Sequence, residues 1–123
     1  MGKKILIAED SSVIQNLTRK ILEQQDFDIE SAKNGKEVIS KMENDDFDLI
    51  LMDINMPIID GMDCSKQIRQ MADPNKSNIP ILAITGNARN YTMDEFKEAG
   101  INEYLQKPLD FDKLVTLVLK YTS

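Results

Sequence analysis

Short apolar segments alternate with amphipathic segments along the whole chain. Five segments have the composition of strands: residues 4–8, 27–32, 49–52, 81–84 and 103–106. The first, third and fourth of these are almost continuously apolar, which is typical of strands buried on both faces of a parallel sheet. The second alternates apolar with charged residues, which favours a place at the edge of the sheet.

Each predicted strand is followed by a segment with helical periodicity. Ser11 or Ser12 can cap the first of these segments, and Asn34 precedes the second. The turn signals Pro57 and Asp60-Gly61 precede the third, Thr92 the fourth and Asp110 the last. Thr92 and Glu95 have the spacing of a capping box, and Gly100 ends this fourth helix. The apolar positions of the first helix fall on one stripe: Val13, Ile14, Leu17, Ile21 and Leu22. The third helix is predicted to end near residue 71, and the polar segment 72–78 is predicted to be a loop.

Five strands that alternate with five helices predict one α/β domain over residues 1–123, a doubly wound (βα)5 sandwich with a parallel sheet and no output domain. In such folds the functional crevice lies at the carboxyl ends of the strands. Polar side chains lie directly after or at those ends in four strands: Glu9, Asp10, Asp53, Thr85 and Lys107. We therefore expect residues that are far apart in sequence to form one site.

Charge and composition exclude several function classes. The formal net charge of −6 disfavours binding to a nucleic-acid backbone. No apolar stretch approaches the roughly 20 residues of a membrane-spanning helix, so we expect a cytoplasmic protein without a membrane segment. The single cysteine, Cys64, is interpreted as a helix residue without a chemical role. Because the chain has no histidine, a metal would find mainly hard oxygen ligands, which points to magnesium or calcium.

The predicted rim collects negative charge. If the first and third strands are neighbours, Glu9, Asp10 and Asp53 lie close together, and their repulsion raises the pKa of a carboxyl group. A divalent cation would relieve this repulsion, and the Lys107 ammonium could bridge to a second anion. Together with the hydroxyl of Thr85, these groups provide what acceptance of a phosphoryl group on Asp53 requires: charge neutralisation, in-line positioning and an activated carboxylate oxygen.

Each of these residues has a simpler interpretation when it is taken alone. Glu9 and Asp10 suit the start of a helix, and Asp53 could form an Asx turn at a strand end. Thr85 could be an ordinary strand residue and Lys107 a solvated loop lysine. The phosphoacceptor hypothesis rests on their joint placement, because independent coincidences would otherwise have to meet at one rim in one order.

The motifs at these positions resemble those of response-regulator receiver domains, the CheY-like family of two-component signalling. They comprise Glu9-Asp10, residues 53–57 (Asp-Ile-Asn-Met-Pro) with Asp60-Gly61, Thr85-Gly86, and Lys107-Pro108. The resemblance extends from Lys4 to about Tyr121. It implies the flavodoxin-like strand order 2-1-3-4-5, which is the order of CheY itself.

By this resemblance Asp53 is the phosphoacceptor. The implied cofactor is Mg²⁺, bound by the carboxylates of Asp10 and Asp53, by the backbone carbonyl of Asn55 and, through water, by Glu9. Asn55 and Asn87 occupy the two positions that tune the lifetime of the acyl phosphate in this family.

The resemblance also assigns the residues that sense the phosphoryl group. Thr85 and Lys107 bind its oxygens, and the small Gly86 leaves room for it. Lys107-Pro108 is a candidate cis peptide bond, as X-Pro bonds permit. Tyr104 matches an aromatic switch position that turns inward when Thr85 moves, with an ordinary edge-strand tyrosine as the alternative.

The implied function is signal transduction through a protein surface. A sensor histidine kinase or a phosphotransfer protein would donate the phosphoryl group, and an unknown protein target would bind a face made by the fourth helix, the fifth strand and the last helix. We expect a monomer or a weak phosphorylation-dependent homodimer, which is no enzyme beyond its own phosphorylation and autodephosphorylation. The alternative is a phosphate sink or a receiver module of a hybrid histidine kinase or phosphorelay, whose receivers have a polar loop similar to 72–78.

Two other classes fit less well. A haloacid-dehalogenase-type phosphatase also uses a strand-end aspartate with Mg²⁺, but it needs a second aspartate two residues later, where this chain has Asn55. A flavodoxin-like flavin carrier needs an electropositive phosphate cradle after the first strand. The segment Glu9-Asp10-Ser11-Ser12 is acidic there.

Overall fold

A five-stranded parallel sheet lies between two layers of helices. The structure, a computed structural model, describes residues 3–86 and 91–123. The strands are β1 (Lys4–Ala8), β2 (Asp28–Ala32), β3 (Leu49–Asp53), β4 (Ile81–Thr85) and β5 (Glu103–Gln106). The helices are α1 (Ser12–Glu23), α2 (Gly35–Asn44), α3 (Gly61–Arg69), α4 (Pro74–Ser77), α5 (Met93–Glu98) and α6 (Phe111–Thr122). The sheet order β2-β1-β3-β4-β5 confirms the predicted topology and the edge position of β2.

Alternate residues of the strands face two separate hydrophobic clusters. In β1, Leu6 and Ala8 belong to one cluster, which also contains side chains of α2, α3 and α5. Ile5 and Ile7 belong to the other cluster, which contains side chains of α1 and α6. Because β1, β3 and β4 are buried on both faces, their apolar runs are continuous. Each fully buried aliphatic side chain stabilises the sheet by about 1.5–3 kcal/mol.

The strand ends lie one residue beyond the apolar runs that predicted them. β3 includes Asp53 and β4 includes Thr85, since the backbone ladder continues past the apolar residues. Ile54 N donates to Ile84 O over 3.0 Å, and Lys107 N donates to Thr85 O over 2.8 Å. Sheet hydrogen bonds therefore fix the backbone at the positions of Asp53 and Thr85.

Helix α1 differs from the predicted burial. Its buried residues are Gln15, Thr18 and Leu22, whereas Val13 is 75% and Leu17 47% exposed. The two polar residues can be buried because backbone carbonyls accept from both of them: Gln15 Nε2 lies 3.0 Å from Glu9 O, and Thr18 Oγ1 lies 2.8 Å from Ile14 O. Part of the predicted apolar stripe therefore faces outward.

The segment 72–78 was predicted to be a loop, but it contains the short helix α4. Asp73 caps this helix by accepting a hydrogen bond from Asn75 N over 2.9 Å. Pro74 occupies the first helical position, where its missing N–H costs nothing. Two smaller boundaries also differ from prediction: β2 begins at Asp28 rather than residue 27, and α3 ends at Arg69 rather than near residue 71.

Cys64 lies in α3 and is fully buried. Burial raises the pKa of its thiol to about 12, so the reactive thiolate is not populated near neutral pH. Within the described residues, no helix has the length and apolar character needed to cross a membrane.

Candidate functional site

The predicted site residues meet at the carboxyl end of the sheet. Asp53 is the last residue of β3, and it lies beside Ile84 in the register with β4. Glu9 and Asp10 follow β1, which is the other neighbour of β3. Asp53, Glu9 and Thr85 are each only 1% exposed. The topology thus buries two carboxyl groups and a hydroxyl at one rim.

Three carboxyl groups form the only cluster with metal-ligand spacing among residues 3–86 and 91–123. One oxygen each from Glu9, Asp10 and Asp53 lies within 4.8 Å of the others, with Asp10 on the exposed side. Oε1 of Glu9 is buried and accepts no hydrogen bond within the described part of the chain. A hard divalent cation with its bound waters suits such an all-oxygen site and would satisfy this buried oxygen.

The environment of Glu9 favours its protonated form in the absence of a cation. Burial raises the pKa of its carboxyl group to about 7 and outweighs the hydrogen bond from Ser11 N, which lowers it. The neighbouring Asp53 raises the pKa further, and Lys107 opposes this increase. The ammonium group of Lys107 therefore does not outweigh the effects of burial and of Asp53 on the carboxyl group of Glu9.

The two carboxylate oxygens of Asp53 have different partners. Asn55 N donates to Oδ1 over 3.1 Å, and Lys107 Nζ lies 3.4 Å from Oδ2. Lys107 Nζ also lies 3.5 Å from Glu9 Oε1, as an ion pair. Fixed donors thus orient the carboxylate, and a single ammonium group connects two of the buried acids.

The residues predicted to sense a phosphoryl group lie on β4 and β5 or directly after them: Thr85, Gly86, Tyr104 and Lys107. Gly86 follows Thr85, and a Cβ placed on Gly86 would meet no atom within 4 Å, which agrees with the space expected there. Tyr104 is partly buried, and its ring stacks on Phe96 of α5 with centroids 5.1 Å apart. The Lys107–Pro108 peptide bond is cis, as predicted. Asn87, the second residue expected to tune the acyl phosphate, lies outside the described residues.

Gln15 is a supporting residue that the sequence did not reveal. Its buried side-chain amide donates to Glu9 O over 3.0 Å and to Ala32 O over 3.4 Å. It therefore fixes the loop that presents Glu9 and Asp10. The only sequence signal was a polar residue amid the apolar positions of an amphipathic helix, and that signal does not identify the carbonyls that satisfy it.

Comparison with known protein families identifies the family to which the chain belongs. The family model of the response regulator receiver domain matches residues 5–119. The chain belongs to this family. It is a receiver domain of two-component signal transduction, and it resembles receivers in hybrid histidine kinases as well as in response regulators.

Its relatives occur in proteins of very different length. It is 34% identical to hybrid signal transduction histidine kinase I of Dictyostelium discoideum, over 97% of this chain and 7% of that protein. It is 36% identical to the CAI-1 autoinducer sensor kinase/phosphatase CqsS of Vibrio cholerae, over 94% of this chain and 17% of that protein. Two-component response regulator 24 of Arabidopsis thaliana is 34% identical, over 94% of this chain and 81% of that protein. The receiver thus spans only a small part of the kinases.

Solved structures share the complete fold. The receiver domain of a sensor histidine kinase from Pseudomonas aeruginosa, solved with a magnesium ion coordinated in its active site cleft, is 30% identical. It superposes with a TM-score of 0.88 over 99% of this chain and 98% of that one. A chemotaxis response regulator of Vibrio cholerae is 26% identical, with a TM-score of 0.87 over 98% of this chain and 99% of that one.

Proposed function

We propose that Asp53 accepts a phosphoryl group from a phosphohistidine of another protein. The observation that carries this proposal is the carboxylate of Asp53, which is buried, oriented by Asn55 N–H and approached by the ammonium group of Lys107. The receiver chain has no histidine, so the phosphohistidine lies outside these residues. A sensor histidine kinase or a phosphotransfer protein is the donor.

Mg²⁺ is the proposed cofactor. The carboxylates of Asp10 and Asp53 and the backbone carbonyl of Asn55 would bind it, and Glu9 would act through a metal-bound water. The acidic cluster supports this assignment, as does the buried Oε1 of Glu9, which accepts no hydrogen bond within the described residues and lies 3.5 Å from the ammonium group of Lys107. When bound, the metal would neutralise charge on the carboxylates and on the phosphoryl oxygens.

The transfer itself exchanges one bond to phosphorus for another. An oxygen of Asp53 forms the new O–P bond as the N–P bond to the donor imidazole breaks, and that imidazole keeps the electron pair and takes up a proton. Lys107 and the hydroxyl of Thr85 would hold phosphoryl oxygens, which stabilises their charge in the transition state. The only chemistry we assign to the domain is this phosphorylation and the hydrolysis of the resulting aspartyl phosphate, in which water takes the phosphoryl group and the Asp53 carboxylate is restored.

The response would leave through the face formed by α5, β5 and α6, which we call the output face. Tyr104 lies on β5 beside β4, so a displacement of Thr85 toward the phosphoryl group would change the packing of Tyr104 on Phe96. A groove of about 420 Å³ on this face is lined by Met93, Tyr104 and Lys113, among others. A protein target, or weakly a second copy of this chain, would bind here after phosphorylation.

Incubation with acetyl phosphate and Mg²⁺ tests the acceptor. Intact-mass spectrometry should show the addition of one phosphoryl group to the unaltered protein and none to Asp53→Asn. Asp60→Asn is the matched control, since Asp60 is an aspartate of the following loop that caps α3, and it should still be labelled. Equal labelling of Asp53→Asn and the unaltered protein would contradict the proposal.

The second candidate function is that of a receiver module within a hybrid histidine kinase. The relatives support this function, because the kinases in which similar receivers occur are several times longer than this chain. In that setting the domain would pass its phosphoryl group onward or drain it, as a phosphate sink does. Rapid loss of the phosphoryl group to a phosphotransfer protein, without any change in the output face, would favour this second function.

A further inference from the structure

The backbone of Ile58 adopts an unfavourable conformation in the loop between β3 and α3. Its φ is +73°, and only one other non-glycine residue among those described, Asp26, has a positive φ. Aspartate tolerates this region because its short polar side chain bonds locally, but a β-branched residue is an outlier there. Ile59 N donates to Pro57 O over 2.9 Å, so Ile58 is the centre of a three-residue turn with positive φ, the rare and strained γ-turn.

The side chain of Ile58 contributes little to the fold that would justify this strain. It is 73% exposed, whereas the next residue, Ile59, packs against the core. Glycine or asparagine would adopt the same φ at lower cost. The loop that directly follows Asp53 and contains Asn55 thus exposes an apolar, β-branched side chain to solvent.

A second exposed apolar residue follows the Glu9-Asp10 segment of the acidic rim. Val13, in the first turn of α1, is 75% exposed and follows Asp10 by three residues. The carboxylate of Asp53, at the end of the strand that neighbours β1, is only 1% exposed. A histidine side chain of another protein can reach it only if that protein covers the surrounding loops. The exposed apolar side chains therefore lie where a protein donor must make contact.

We infer that Ile58, supported by Val13, is a contact residue for the phosphohistidine-bearing donor protein and determines the preference for that donor over small acyl phosphates. This inference rests on the proposed function of Asp53. An isoleucine side chain offers nothing to Mg²⁺ or to a phosphoryl group, so its partner is apolar protein surface. Ile58 lies in the loop between β3 and α3, outside the elements that form the output face. This position favours the donor as its binding partner over a target that binds after phosphorylation.

Three variants separate this role from a structural one. Ile58→Asn keeps a residue that tolerates positive φ but removes the apolar contact, and Ile58→Leu keeps an apolar side chain. Leu119→Asn removes a comparably apolar side chain that is 45% exposed on α6. The probes are acetyl phosphate and the histidine kinases and phosphotransfer proteins of the source organism. The proteins are radiolabelled on histidine, and the fastest protein donor for the unaltered protein is used throughout.

We expect Ile58→Asn to raise KM for the protein donor about tenfold, the effect of losing one well-packed interface contact. The rate with the protein donor relative to acetyl phosphate should fall by the same factor. Ile58→Leu should restore most of that ratio, and Leu119→Asn should not change it. The melting temperature of Ile58→Asn should rise, since the strain at this position is relieved.

Several results would overturn the inference. They are an unchanged ratio in Ile58→Asn, an equal loss in Leu119→Asn, or an unaltered protein that is labelled by acetyl phosphate but by none of the phosphohistidine proteins. Concentration-dependent dimerisation that Ile58→Asn abolishes would assign the contact to a second copy instead. Failure of acetyl phosphate to label Asp53 at all is a different result, which would remove the proposed function itself.

Discussion

The ammonium group of Lys107 lies 3.4 Å from Oδ2 of Asp53, although 54 residues separate them in sequence. The backbone N–H of the same lysine donates to Thr85 O over 2.8 Å. Lys107 therefore links the candidate phosphoacceptor at the end of β3 to the end of β4. A phosphoryl group on Asp53 would be detected at Thr85 and Tyr104 through this connection.

The first prediction follows from this link. Lys107→Ala should leave Mg²⁺ binding largely intact, because lysine is no metal ligand here. The conformational response to phosphorylation should no longer spread beyond the site in this variant. With beryllofluoride as a phosphoryl mimic, backbone amide signals of Gly86 and of residues 91–107 should shift in the unaltered protein. In Lys107→Ala, shifts should be limited to the loops around Asp10 and Asp53.

Lys36→Ala is the control for loss of a lysine, since Lys36 is exposed on α2. It should respond as the unaltered protein does. Distant shifts that persist in Lys107→Ala would show that the signal reaches β4 and β5 by another route.

The buried carboxyl group of Glu9 predicts a specific pH dependence. Its pKa of about 7 in the folded protein lies above the value in the unfolded chain, so the folded state binds this proton more tightly. The stability gained is complete below about pH 4 and is lost as the pH rises through about 7. In EDTA, the free energy of unfolding by urea should fall by about 2 kcal/mol between about pH 5 and pH 8.

Glu9→Gln should remove most of this decrease, because glutamine is neutral at every pH. Glu23→Gln, on the exposed side of α1, should retain it. A pH profile that is the same in Glu9→Gln and in the unaltered protein would assign the titration to another group.

Mg²⁺ should reverse the destabilisation near neutral pH. A ligand that binds only the folded state at ten times its Kd stabilises by about 1.4 kcal/mol, and the melting temperature should rise accordingly. Asp10→Asn should weaken this response, whereas Asp28→Asn, at the amino end of β2, should not. Unchanged melting temperatures at millimolar Mg²⁺ would argue against a metal site at Glu9, Asp10 and Asp53.

Two glycines next to the site should differ sharply in their tolerance of alanine. A Cβ on Gly61 would lie 2.5 Å from Asp53 O and 2.8 Å from Ile54 Cα, both backbone atoms that cannot move without shifting the phosphoacceptor loop. Gly61→Ala should therefore cost about 2 kcal/mol or more of stability. Gly86→Ala should fold normally, since apart from its chain neighbours no atom of the described residues lies within 4 Å of its added Cβ. Chemical denaturation of both variants measures the contrast, and equal stabilities would contradict it.

The joint placement of the site residues could be anticipated from local patterns and a general rule, whereas the strand order was anticipated only from the resemblance to receiver domains. Continuous apolar runs marked β1, β3 and β4 as strands buried on both faces. Parallel strands bring their carboxyl ends to one edge, so Asp53 and Lys107 had to approach each other. The sequence motifs then specified the family.

Features that depend on tertiary contacts could not be anticipated. The outward position of Val13 results from how α1 packs, with Gln15 and Thr18 on its inner face hydrogen-bonded to backbone carbonyls. The turn at Ile58 is closed by the hydrogen bond from Ile59 N to Pro57 O, and an isoleucine gives no sequence signal for its positive φ. The raised pKa of Glu9 depends on burial that periodicity does not reveal, because the residue lies past the end of an apolar run.

Reductive trapping of the phosphorylated residue tests the central claim most directly. Borohydride converts an aspartyl phosphate to homoserine, and peptide mass spectrometry then identifies the position of the change. After phosphorylation in the presence of Mg²⁺, homoserine should be found at position 53, and aspartate should remain at positions 10 and 60. Homoserine at another position, or no homoserine in protein whose intact mass shows a phosphoryl group, would contradict it.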